Sequence, residues 1–166
     1  MLNIRLLLLF FCVGFIFACD SDRVFDEYKT IPDASWHKDS IVSFKVRTKD
    51  TLQPYNLFIN LRNNSEYQYN NIFLITSMNF PNGKVIKDTL EYEMAYPDGS
   101  FMGEGFTDIK ESKLWYKKGV IFAEKGEYTF KIKQAMRKNG KVDGIEELTG
   151  ITDVGFRIEN TKQVSK

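Results

Sequence analysis

Cysteine is almost missing from this chain: of 166 residues only Cys12 and Cys19 carry a thiol, and both fall before residue 20. Histidine occurs once, as His37 beside Trp36. A zinc site needs several His or Cys ligands, and Ser-His-Asp or Cys-His catalysis needs a base beside its nucleophile, so His37 reads as a surface or packing residue. No charge sign dominates, with 23 Lys and Arg against 22 Asp and Glu. A near-neutral chain offers nucleic acid no basic footprint. The one long apolar run, Leu6–Phe17, is shorter than the roughly 20 residues a helix needs to cross a bilayer.

That run fits an export signal instead. A short start charged at Arg5 precedes it, and it ends Ile16-Phe17-Ala18-Cys19, with polar Asp20-Ser21-Asp22 immediately after. A branched residue three before a cysteine and a small residue just before it look like the lipobox of bacterial lipoproteins, with cleavage between Ala18 and Cys19 and acyl chains on Cys19. Phe17 departs from the small or branched residue usual at its position. Cys12 is no competitor, because bulky Phe11 precedes it. Removal of residues 1–18 and acylation of Cys19 would leave no free thiol for a disulfide, a metal or a nucleophile. Anchoring by more than one acyl chain is firm, where a single chain binds marginally.

The remaining residues suffice for one domain with a core of its own. Residues 19–39 read as a lipidated tether, too aromatic for a free linker and so partly docked. Residues 40–160 read as the folded domain and 161–166 as a tail. From residue 41 the dominant period is two, the mark of half-buried strands. Val42, Phe44 and Val46 alternate with polar residues, as do Leu57, Ile59 and Leu61, then Tyr128, Phe130, Ile132, Gln134 and Met136, and finally Val154, Phe156 and Ile158. Ile72–Phe80 reads as a central strand turning at Pro81-Asn82-Gly83 into a partner with Ile86, Leu90, Tyr92 and Met94 facing inward. Gly119 suggests a bulge in 114–122, and Ile145–Leu148 one helical turn. About seven short strands with turns between them predict an all-β fold, an antiparallel β-sandwich of immunoglobulin-like or jelly-roll-like layout.

Chemistry-bearing motifs are sparse. Asp98 and Glu104 flank a glycine-rich loop, and Glu146, Glu147 and Asp153 cluster near the end, but no spacing rule for a carboxylate pair or a calcium loop is met, and solvated loop charge is the reading. Pro97–Gly105 lacks the lysine and hydroxyl of a phosphate-binding loop. No catalytic residue, metal or cofactor is expected. The aromatic content of 14% leaves side chains beyond the needs of a core. Tyr67 and Tyr69 read either as edge packing or as contacts for a sugar or a protein, and Phe101 and Trp115 are further candidate contact residues.

The chain as a whole resembles a known family. The lipobox cysteine, Val24-Phe25-Asp26-Glu27-Tyr28, Ile59–Asn63 with Tyr67-Gln68-Tyr69 and Asn71–Leu74, Pro97–Gly105 and Gly150–Arg157 are similar to the GldH gliding-motility lipoproteins of Bacteroidetes. The resemblance implies a non-enzymatic accessory lipoprotein of the cell envelope that works with the proteins of gliding and type IX secretion. Its implied partners are those envelope proteins and the membrane that holds the anchor, on the periplasmic or the outer face. A glycan-binding envelope lipoprotein is the alternative that the same anchor and aromatics would serve.

Overall fold

The computed structural model describes residues 22–47, 51–105 and 107–161. The export segment, Ala18 and Cys19 lie outside the described residues. Among the described residues ten strands form: β1 (Arg23–Thr30), β2 (Ser35–His37), β3 (Val42–Val46), β4 (Pro54–Asn63), β5 (Asn71–Asn79), β6 (Val85–Glu93), β7 (Lys110–Ile121), β8 (Tyr128–Gln134), β9 (Glu147–Thr149) and β10 (Ile151–Asn160). One sheet has the order β1-β10-β4-β7, the second β3-β8-β5-β6, and β2 pairs with β9 in a small third. The pairs β1–β10, β3–β8, β4–β7 and β5–β6 are all antiparallel. The first half of the chain therefore runs back along the second as one long ribbon whose tip is the β5–β6 hairpin, and folding that ribbon over itself yields the jelly-roll member of the two layouts expected.

Period-two alternation explains which faces meet. Leu57, Ile59 and Leu61 of β4 and Val154, Phe156 and Ile158 of β10 point into the sandwich, opposite Val42, Phe44 and Val46 of β3 and Tyr128, Phe130 and Ile132 of β8. Phe156 is the centre of this layer. Its ring lies 4.2 Å from Phe130, 5.9 Å from Phe44, 6.3 Å from Phe25 and 6.4 Å from Tyr116. Burying a phenyl ring so completely stabilises the fold by about 2–3 kcal/mol.

The seven strands expected are present, and three more join them. Residues 23–30, read from sequence as tether, form the outer strand of the first sheet, where Asp26, Tyr28 and Thr30 oppose Arg157, Gly155 and Asp153. Their charges and their place at a sheet edge hid the pattern. The helical turn expected at Ile145–Leu148 does not form: Glu147–Thr149 pairs with Ser35–His37 instead. Buried Gln134 explains the preference, donating to the Ile145 carbonyl at 2.7 Å and the Trp36 carbonyl at 3.4 Å while accepting from Met136 N at 2.9 Å. At Gly119, φ is +64° and the β4–β7 register slips nearby, so the expected bulge is there.

Strand directions sort the connections to two ends. At one end lie Asp22, residues 51–53, the 80–84 tip, residues 122–127 and Thr161. At the other, loops 31–41, 64–70, 94–105 and 135–150 crowd together.

Candidate protein-contact site

The crowded loop end is built around Gly150. Its φ of +90° is one that side-chain-bearing residues rarely adopt. Its N–H donates to the Ala34 carbonyl at 2.7 Å, and its carbonyl accepts from Asn64 N at 2.9 Å. The backbone at Glu66 and Tyr67 lies against the space a Cβ would take. Three segments thus cross at one point, and the crossing fixes where the 64–70 loop presents its tyrosines.

Tyr67 is 3% exposed, and its hydroxyl donates to the Asn71 carbonyl at 2.7 Å. Burial pushes its phenol up, well above the ordinary tyrosine range. Its side chain packs beneath the surface. Tyr69 is half-buried with its ring 5.7 Å from Tyr67, and half-buried Phe101 lies 6.3 Å from Tyr67. Buried Tyr67 is the floor of this cluster, and Tyr69 and Phe101 are its half-buried upper part.

Phe101 is held there by the 94–105 loop. Ala95 bridges Phe101, Tyr96 N donates to the Ser100 carbonyl at 2.8 Å, and the Asp98 carboxylate accepts from Ser100 N and Oγ at 2.9 and 2.6 Å. Those bonds hold the Asp98 carboxyl below its ordinary range and identify it as a turn residue. Glu104 and Glu111 exchange backbone hydrogen bonds at 2.9 and 2.8 Å, so the loop covers part of the β7 edge. A groove of about 840 Å³ runs beside it, lined by Tyr96, Met102, Gly103, Glu104 and Lys113 among others. A second, of about 470 Å³, lies between Tyr69, Lys138, Lys141 and Glu146. Exposed Tyr96 and Val142 stand on these loops.

Trp115 is elsewhere. It is 54% exposed on the outer face of the first sheet, its ring 4.4 Å from that of Phe58 at 48° between planes. Neither this pair nor Tyr67–Tyr69, at 67°, makes the coplanar platform on which a sugar ring would rest. Around Phe58 the outer face is a lattice that sequence reasoning missed. Lys113 Nζ sits 4.2 Å above the Phe58 ring and 2.6 Å from Glu159 Oε1. Arg157 donates to Glu159 at 2.6 Å and to Asp26 at 2.9 Å. Tyr28 donates to Glu111 at 2.8 Å and accepts from Asn60 at 2.8 Å, while Arg62 donates to Glu111 at 2.7 Å with its guanidinium 4.1 Å over the Tyr28 ring. Burial first and the Glu111 contact second push the Tyr28 phenol up. Partners up to three strands apart leave no spacing in sequence; the only signal available was Gly155 in mid-strand.

The remaining acids do not converge. Glu147 accepts from Ser35 at 2.8 Å and Asp153 from Thr30 at 2.9 Å, each on its own strand pair. His37 lies 3.9 Å from Glu146 and 4.0 Å from Asp39. Among the described residues no group of three or more His, Cys, Asp or Glu is placed to hold a metal ion.

Comparison with known proteins agrees with the sequence resemblance. The GldH lipoprotein family model matches residues 23–158. A gliding motility lipoprotein GldH homolog of Christiangramia forsetii is 60% identical over 144 residues, covering 87% of this chain and 88% of its own. The gliding motility lipoprotein GldH of Flavobacterium johnsoniae is 58% identical over 144 residues, covering 87% and 89%. Among solved structures, the VP2 subviral particle of infectious bursal disease virus is 13% identical at a TM-score of 0.34, covering 86% of this chain and 34% of that one. The match from first strand to last makes this chain a member of the GldH lipoprotein family, gliding-motility lipoproteins of the cell envelope.

Proposed function

We propose that this chain is a non-enzymatic component of the gliding-motility and type IX secretion machinery, cleaved after Ala18, held on a membrane by acyl chains on Cys19, and active through protein contact at its loop end. The observation that carries this reading is the clustering of Tyr69 and Phe101 over buried Tyr67, with grooves on both flanks. Aromatic side chains with little rotamer freedom, placed beside grooves, are what interface hot spots are made of. The names of the relatives supply the process. The test is complementation of a deletion strain. Tyr69→Ala combined with Tyr96→Ala is expected to abolish spreading and adhesin export at normal protein level, and a deletion that leaves both untouched would sink the reading.

Glycan binding is the second reading, and exposed Trp115 is its one support. It requires polysaccharide pull-down that Trp115→Ala abolishes.

A further inference from the structure

The end of the sandwich opposite the contact loops is tied to the start of the chain. Asn160 N donates to the Asp22 carbonyl at 2.8 Å, and Gln53 Nε2 donates to Asn160 Oδ1 at 2.8 Å. Asp22 is therefore fixed beside the 51–54 segment, to which Thr161 Oγ1 also donates, at 3.1 Å on the Pro54 carbonyl. Only Asp20 and Ser21 stand between Cys19 and Asp22, and three extended residue steps reach no more than about 11 Å. Acyl chains on Cys19 bring this end of the domain to the polar zone of the bilayer, whatever path the intervening residues take. The tether is too short to let the domain turn over.

What this end displays suits such a position. Leu52 is 84% exposed and Ile121 51%, on adjacent segments joined by the Pro54–Ile121 pairing. Lys84, Lys118 and Lys125 stand exposed toward the same end. Of the acids at this end, Glu127 lies 3.1 Å from both Lys45 and Arg47, Glu124 accepts from Asn82 N at 3.3 Å, and Asp22 holds Asn160 N through its backbone carbonyl. Apolar side chains ringed by lysine are what an interfacial segment offers to headgroups and the acyl boundary.

We propose that this end is a second, non-covalent membrane seat, in which Leu52 and Ile121 enter the headgroup region and Lys84, Lys118 and Lys125 meet lipid phosphates. The seat rests on the reading of Cys19 as acylated. It turns the strands upright, and a ten-residue strand such as β10 then lifts the contact loops about 30 Å from the bilayer.

The experiment uses the lipidated protein reconstituted in vesicles of phosphatidylethanolamine and phosphatidylglycerol, where acylation of Cys19 leaves an introduced cysteine as the only free thiol. Bimane is placed in turn at Leu52→Cys, Ile121→Cys and, as the loop-end control, Val142→Cys, and lipids doxyl-labelled near the headgroup serve as quenchers. Quenching several-fold stronger at 52 and 121 than at 142 is expected. Labels at 52 and 121 that stay unquenched on vesicle-bound protein, or quenching as strong at 142, would overturn the seat while leaving the anchor intact. An N-terminal peptide without acyl mass would overturn the anchor and the seat together.

Discussion

Tyr28 lies over Gly155, its cross-strand partner, so closely that a Cβ added at Gly155 would stand 2.8 Å from the tyrosine ring. The ring covers bare backbone in the middle of the sheet, and its hydroxyl reaches Asn60 and Glu111 beyond. Gly155→Ala is expected to displace the ring and destabilise the protein by about 1–3 kcal/mol, as overpacking does. Tyr28→Phe keeps the cover and loses the hydroxyl. Asn60 is 2% exposed and its Oδ1 already has no partner among the described residues, so orphaning Nδ2 as well should cost about 1–3 kcal/mol. Urea unfolding of both variants measures this; an unchanged midpoint for Tyr28→Phe would remove the lattice from the account of stability.

Gly150 and Gly83 separate conformational strain from collision. Both have positive φ, +90° and +87°, but space is open at Gly83 while the Tyr67 backbone occupies it at Gly150. Gly83→Ala should cost about 1–2 kcal/mol, and Gly150→Ala more than about 4 kcal/mol. Comparable thermal midpoints for the two would show that the three-segment crossing yields.

High pH probes the tyrosines. Burial pushes the phenols of Tyr28, Tyr67 and Tyr116 above their ordinary value, and that of Tyr92 up to about 12. A raised value in the folded state means that folding favours the neutral phenol. The contribution is whole below about pH 10, the ordinary value, and is lost as pH rises through the folded value. Spectrophotometric titration should show these phenols ionising only as the near-ultraviolet dichroism collapses, and smooth ionisation of every tyrosine near pH 10 in folded protein would contradict their burial.

Acid acts on the lattice through Glu159. Burial pushes its carboxyl up, but hydrogen bonds from Lys113 and Arg157 outweigh burial and hold it below its ordinary 4.5. A lowered value means stability present above pH 4.5 and lost as pH falls through the folded value. Glu159→Gln should therefore be less stable than the parent at neutral pH, with the gap closing on acidification; a gap that widens instead would put the sensitivity elsewhere.

The legibility of this fold in its sequence follows burial. β8, with Tyr128, Phe130, Ile132 and Gln134 buried and the residues between them half-exposed, advertises itself by simple alternation. β1 does not, because a strand at the edge of a sheet can carry charge on both faces, as Glu27 and Lys29 do beside Asp26. β2 and β9 are three residues each, too short for any period to show, and are specified by a side chain far away in sequence, Gln134. The loop tyrosines follow the same logic. Tyr67 and Tyr69 share a residue type and a loop, and what sets one beneath the other is the passage of Gly150 behind the backbone at Tyr67, which no local pattern records.

The strand order β1-β10-β4-β7 also sets a timetable. β10 lies between β1 and β4, so the first strand made has nowhere to pair until the last is made, and the two early strands of that sheet stay apart meanwhile. A chain that crosses a membrane amino terminus first thus carries no finished first sheet until its final strand has followed. Such late closure, over nearly the full span of the sequence, belongs to slow-folding topologies. With the amino terminus leading, that sheet shuts last, on the far side of the membrane crossed.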